Sequence, residues 1–188
     1  MEDGKMSLQK HNDLFLSIYP GFFEKESIRS IEKGKIYEEQ ILQLCDFDAG
    51  KYEKEHSASV SFCYYKGSLD NLLRAVKAVE DGWLDIYKQP QHVYCALVDG
   101  EIASFCIIED MGMHEFEGEK VHVGGPGCVG TVPKYRNRGI GLTMVKYATQ
   151  ILKDEGFDIS YIHYTGVGPW YEKLGYETIV KWDCDGIL

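Results

Sequence analysis

The sequence predicts an α/β domain, a sheet covered by helices on both faces. Three observations carry that prediction. Residues 93–98 and 101–108 are runs of strand-forming residues joined by Asp99-Gly100, and a two-residue Asp-Gly loop suits the type I′ turn of a hairpin. Both runs are apolar on both faces, which fits strands inside a sheet covered on two sides. Helical periodicity brackets the hairpin, because apolar residues recur at three- and four-residue spacing over residues 68–88 and again over residues 139–155.

Residues 1–26 read as an N-terminal extension. Leu14, Phe15, Leu16 and Ile18 form a short apolar patch that stops at Tyr19-Pro20-Gly21, a turn signal. The segment is either an added helix laid on the domain or an appendage to it, and the domain proper is placed at residues 27–188. Residues 27–32 fit a short first strand. The spacing of Ile36, Ile41, Leu42 and Leu44 fits a short helix over residues 36–44, and residues 46–59 form a polar loop. In the helix over residues 68–88, Ser68 is the N-cap and Gln89-Pro90 the stop.

Beyond the hairpin, residues 109–120 read as a charged loop. Residues 121–132 read as a strand interrupted by Gly124, Gly125, Pro126 and Gly127, a pattern that signals a bulge or a close backbone approach. A basic turn over residues 133–138 leads into the helix over residues 139–155, with Gly156 just past its end. Residues 159–164 are a strand. Residues 169–174 are a short helix with Pro169 in its first turn and Gly175 after its end. Residues 176–182 are the last clear strand.

The bulk chemistry narrows the function. A chain of 188 residues with 44% apolar content can bury a core. Its net charge of −10 repels nucleic-acid phosphates, favours a cationic partner, and also serves plain solubility. The six cysteines are scattered with no C-x-x-C pair, which fits reduced thiols in the cytoplasm. Residues 1–10 lack the apolar core of a signal peptide, and no apolar run is long enough to span a membrane. No H-E-x-x-H motif or close Cys/His group marks a metal site, and no P-loop is present. Residues 125–130, GPGCVG, match G-x-G-x-x-G in form, but no helix opens after them, as a dinucleotide site requires.

The informative stretch is residues 129–141, VGTVPKYRNRGIG: a strand, a basic turn, then glycines opening a helix. A helix N-terminus offers unpaired N–H groups and the positive end of a dipole, which together suit phosphate. Gly139 and Gly141 let a pyrophosphate approach the backbone, and Arg136 and Arg138 add charge beside it.

These residues resemble the acyl-CoA loop of the GNAT superfamily, Arg/Gln-x-x-Gly-x-Gly/Ala, at Arg136, Gly139 and Gly141. Residues 170–176, WYEKLGY, resemble the family's second signature, and the core of the likeness runs over residues 91–182. The resemblance implies a mixed, mostly antiparallel sheet of about six to seven strands with helices on both faces. It implies an N-acetyltransferase that moves an acetyl group from acetyl-CoA to a small-molecule or peptide amine by direct attack on the thioester. The alternative is a CoA-binding regulatory or assembly module without turnover. By the same resemblance, the backbone of Val129 and Thr131 pairs with the pantetheine arm. The amides of Arg138, Gly139, Ile140 and Gly141 hold the pyrophosphate, and Tyr171 protonates the departing thiolate. The plainer reading of Tyr171 is a ring that packs the short helix onto the sheet.

The sequence departs from the family in three places. Gly125 to Gly127 stand where many members carry a polar residue, which leaves the base open among Glu109, Asp110, His122 and His163. Tyr164 stands where an asparagine is common. Only one clear strand follows the short helix where the family often has two, so the last is very short, comes from a partner in a homodimer, or lies outside this piece of chain.

Overall fold

The computed structural model describes residues 2–57, 59–89 and 92–188, with side chains from residue 8 onward. Its strands are β1 (Tyr37–Gln43), β2 (Val60–Tyr64), β3 (Val93–Val98), β4 (Glu101–Phe116), β5 (Glu119–Thr131), β6 (Ile159–Thr165), β7 (Glu177–Asp183) and β8 (Gly186–Ile187). They form one sheet in the order β2-β3-β4-β5-β6-β1-β7-β8. Every neighbouring pair is antiparallel except β5 with β6. The helices are α1 (Glu2–Ile18), α2 (Glu26–Arg29), α3 (Leu69–Lys77), α4 (Leu84–Tyr87), α5 (Ile140–Asp154) and α6 (Gly168–Tyr171). No helix among the described residues is long and apolar enough to cross a membrane.

Helices cover both faces, as the doubly apolar strands require. Met144, Ala148 and Leu152 of α5 pack on one face against Tyr94, Ala96 and Cys106. On the other face, Leu72 and Val76 of α3 meet the alternate residues Cys95, Phe105 and Ile107. Leu14 and Phe15 of α1 pack with Val123, Ile159 and Trp182. The hairpin turn is as expected, with φ of 51° at Asp99 and 82° at Gly100, the paired positive values of a type I′ turn. Ser68 caps α3 by accepting the Asn71 amide at 3.3 Å.

Several sequence expectations are corrected. Residues 27–32 hold α2 rather than a strand, and residues 36–44 hold β1 rather than a helix. Ile41 and Leu42 bury into opposite cores, so the short apolar run follows the period of a strand. Such runs do not distinguish the two periods by themselves. The single helix over residues 68–88 is broken. A 3-10 turn at Asp81–Trp83 separates α3 from α4, and the Glu80 carboxylate restarts the chain by accepting the Gly82 amide at 3.0 Å. Pro90 of the expected stop lies outside the described residues.

The charged loop over residues 109–120 is instead the continuation of β4 and β5, closed by Glu117 and Gly118 with φ of 55° and 84°. Burial of Phe116 beneath α1 supports this second hairpin, with the His11 ring stacked on Phe116 at 5.8 Å. β2 has no counterpart among the sequence expectations, and the sheet has eight strands among the described residues rather than six to seven. Two strands do follow the short helix, and the last, β8, is only two residues long. β1 enters the sheet between β6 and β7 and pairs with both.

Candidate active site

The site lies where the sheet splits. β5 and β6 pair only at Val123–Ile159 and Gly124–Ser160, although both strands run on. Near the same place β5 carries a bulge. Its register against β4 shifts between Phe105 and Ile107, and Cys128 sits in the left-handed region at φ 47°. A non-glycine residue held there is a strained position, of the kind that clusters at functional sites. The buried Tyr87 hydroxyl of α4 secures it by donating to the Cys128 carbonyl at 2.8 Å.

An open groove of about 750 Å³ runs from this split to the start of α5. Of the residues singled out by sequence, Val129, Thr131, Arg136, Gly139, Ile140, Gly141 and Tyr171 line it. Arg138 does not, because its guanidinium lies over the Tyr135 ring, 5.5 Å from the centroid. Arg136 donates from Nε to the Thr131 carbonyl at 3.0 Å, which ties the basic turn back to the end of β5. Gly139 is the N-cap of α5 at φ 77°, with no side chain capping the helix. The first-turn amides are therefore open to an anion from the groove.

Sequence reasoning missed Lys54. It belongs to the polar loop after β1, and a Cβ placed on Gly139 would lie 2.6 Å from its Nζ. The loop thus lowers an ammonium onto the helix N-terminus. A lone lysine in a polar loop carries no motif that would reveal this.

Tyr171 is buried, and burial pushes its phenol well above the ordinary range, with Tyr176 adding to the shift. It stays protonated at neutral pH. Its ring stands edge-on to Trp170 at 4.8 Å. The neighbouring Tyr176 is satisfied internally, bonded to Ser160 at 2.7 Å and to Thr149 at 2.8 Å.

The candidate bases separate. Asp110 and His122 form a pair at 2.8 Å outside the groove, with the His122 ring stacked on Phe157 at 3.9 Å. Tyr164 is turned away from the groove, edge-on to Tyr37 at 4.5 Å and to Trp182 at 4.8 Å. Glu109 and His163 lie within electrostatic reach of each other: Glu109 is half-buried, burial raises its pKa, and His163 opposes that rise. All six cysteines are unpaired. Burial pushes the Cys128 thiol up to about 12, with the charge of Glu109 adding to the shift.

Fold and groove together define a class: an α/β domain with an uncapped helix N-terminus aimed along a split in its sheet. The chain belongs to the GNAT acetyltransferases, since the family model for the acetyltransferase (GNAT) domain matches residues 70–179, more than half of its length. Solved structures agree in fold. A GCN5-related glucosamine N-acetyltransferase region of a fungal multi-domain GH3 β-N-acetylglucosaminidase is 23% identical with a TM-score of 0.64, over 80% of this chain and 20% of that one. A GCN5-related N-acetyltransferase from Kribbella flavida is 17% identical with a TM-score of 0.55, over 79% of this chain and 56% of that one. One from Sphaerobacter thermophilus is 19% identical with a TM-score of 0.53, over 76% of this chain and 48% of that one. The chain thus spans well under two thirds of the length of each. No curated protein matches it.

Proposed function

We propose that this protein is an N-acetyltransferase that moves an acetyl group from acetyl-CoA to a primary amine by direct attack on the thioester. One observation carries the reading: a single groove joins the uncapped N-terminus of α5, the bulged end of β5 and the protonated Tyr171.

Acetyl-CoA supplies the activated acetyl thioester. The amides of Gly139, Ile140 and Gly141 hold its pyrophosphate, with charge from Arg136 and Lys54. The backbone of Val129 and Thr131 aligns the pantetheine arm, and such positioning is the larger part of catalysis in direct transfer. The Tyr171 hydroxyl holds the proton that the departing thiolate takes up. An acyl-cysteine relay is disfavoured, since a thiol near 12 leaves only about one thiolate in 10⁵ molecules at pH 7.

The acidic surface supports a cationic acceptor, and the unpaired cysteines support a cytoplasmic setting. Because the fungal relative is a glucosamine acetyltransferase region, glucosamine joins spermidine and 2-phenylethylamine as a first acceptor to try.

The test is a thermal unfolding scan with acetyl-CoA at about 100 times its Kd, where linkage adds about 2.7 kcal/mol. For a chain of this length that is a rise in Tm of about 5–10 °C. Release of free CoA thiol is then followed with the three amines. No shift would remove the groove as a CoA site. A shift without thiol release would return the protein to a CoA-binding module.

A further inference from the structure

The face of the sheet opposite α5 carries a cluster that the CoA groove does not use. Glu109 projects from β4 across β5, and its carboxyl occupies the space of the missing side chain at Gly127, so that a Cβ there would lie 3.0 Å from Cδ and Oε1. Gly127 is thus what admits a carboxylate to the edge of the split. His163 stands on the far side, on β6. Its Nδ1 lies 2.8 Å from the Glu39 carboxylate, which is wholly buried.

Glu39 also accepts from Trp182 Nε1 at 2.7 Å and from the Tyr164 amide at 3.2 Å. The contact orients the His163 ring, with Nδ1 toward Glu39 and Nε2 turned away from it. Tyr19, just past α1, stacks on the His163 ring at 3.7 Å. The adjoining Tyr161 lies beside Glu39 and Tyr19, and burial holds its phenol well above the ordinary range.

We propose that Glu109 and His163 form the seat of a primary ammonium with a small apolar or aromatic body, walled by Tyr19, and that Glu109 takes the proton this ammonium must lose. The proposal rests on the acetyltransferase reading. Cys128, at the bulge, is within electrostatic reach of Tyr171 from the groove side and of Glu109 from this side, so the two faces meet at the split. The amine nitrogen forms the new C–N bond as the C–S bond breaks. The thiolate takes a proton from Tyr171, Glu109 passes the first ammonium proton to solvent, and the second N–H proton, shed as the amide forms, restores Tyr171. The groups facing Glu109 are His163 of β6, Cys128 of β5, Tyr19 beyond α1 and Tyr87 of α4, with Glu39 behind His163.

The probes are 2-phenylethylammonium and its neutral counterpart 2-phenylethanol, titrated calorimetrically into the CoA-loaded full chain at pH 7.5. The ammonium binds at least about tenfold more tightly than the alcohol. Glu109→Gln removes that preference and leaves the acetyl-CoA thermal shift unchanged. In the unmutated protein, acidification through the raised pKa of Glu109 removes it as well, which needs no variant to fold. Equal binding of both probes, no binding of either, or a preference that survives Glu109→Gln overturns the proposal. So does an unchanged rate of acetyl transfer in that variant, where a loss of about 10²–10⁴ is expected. If the ammonium seat stands but no amine is acetylated, the transferase reading fails and the site survives as a cation-binding site.

Discussion

The Cys128 bulge depends on one hydroxyl, and Tyr87→Phe removes it with little else. Tyr87 is 1% exposed, and its ring packs edge-on against Phe105 at 5.3 Å, a contact that phenylalanine keeps. The bond to the Cys128 carbonyl at 2.8 Å is lost. A buried acceptor stripped of its donor costs about 1–3 kcal/mol. Cys128 is held at φ 47°, a conformation that costs a non-glycine residue about 1–2 kcal/mol, so the strand gains by relaxing once released. Set against that relief, a net loss of about 1 kcal/mol lowers Tm by roughly 2–4 °C in a chain of this length. Circular dichroism of the two proteins measures it. Relaxation of the bulge also displaces Val129 and Thr131 from the groove wall, so acetyl-CoA stabilises the variant less. A Tm equal to that of the unmutated protein, together with an unchanged response to acetyl-CoA, would refute the idea that Tyr87 holds the bulge.

Three further substitutions test the site. Gly139→Glu puts a side chain at φ 77° and a carboxylate against Lys54 at the anion site, so the acetyl-CoA thermal shift disappears while the far-ultraviolet spectrum stays that of a folded chain. Tyr171→Phe keeps acetyl-CoA affinity and slows thiol release by about 10²–10⁴; an unchanged rate would return Tyr171 to a packing role. Glu109→Gln changes stability with pH in a defined direction. Burial raises the Glu109 pKa in the folded state, so between the usual value of about 4.3 and the raised one the folded chain binds more protons than the unfolded chain. Stability therefore falls as pH rises through that window and stays lowered above it. The variant melts higher than the unmutated protein at neutral pH, and the difference fades below about pH 4. Equal melting at neutral pH would mean that Glu109 bears no burial penalty.

Local rules explain the parts of the fold that could be read ahead. Asp99-Gly100, Ser68, Gly139, Gly156 and Gly175 each answer a backbone or capping need that arises within a few residues, and the structure places each where that need predicts. The errors fall where the deciding partner is distant in sequence. β1 carries Glu39 and Gln40 as buried residues, and such a segment does not read as a central strand. It becomes one because Trp182, His163 and Thr178 supply hydrogen bonds from β7 and β6. The charged stretch over residues 109–120 reads as a loop until α1 covers Phe116.

The same division holds for the site. The glycine-containing loop at residues 136–141, the short helix bearing Tyr171 and the hairpin at the centre of the sheet are legible from contiguous residues, because each rests on local backbone geometry. Packing across the whole chain is what sets β1 between β6 and β7, Lys54 over Gly139, and Glu109 in the space above Gly127. Those relations join residues dozens of positions apart, and they exist only once packing has brought the strands together. A carboxylate on one strand and a glycine on the next carry no mutual signal until the sheet register sets them side by side.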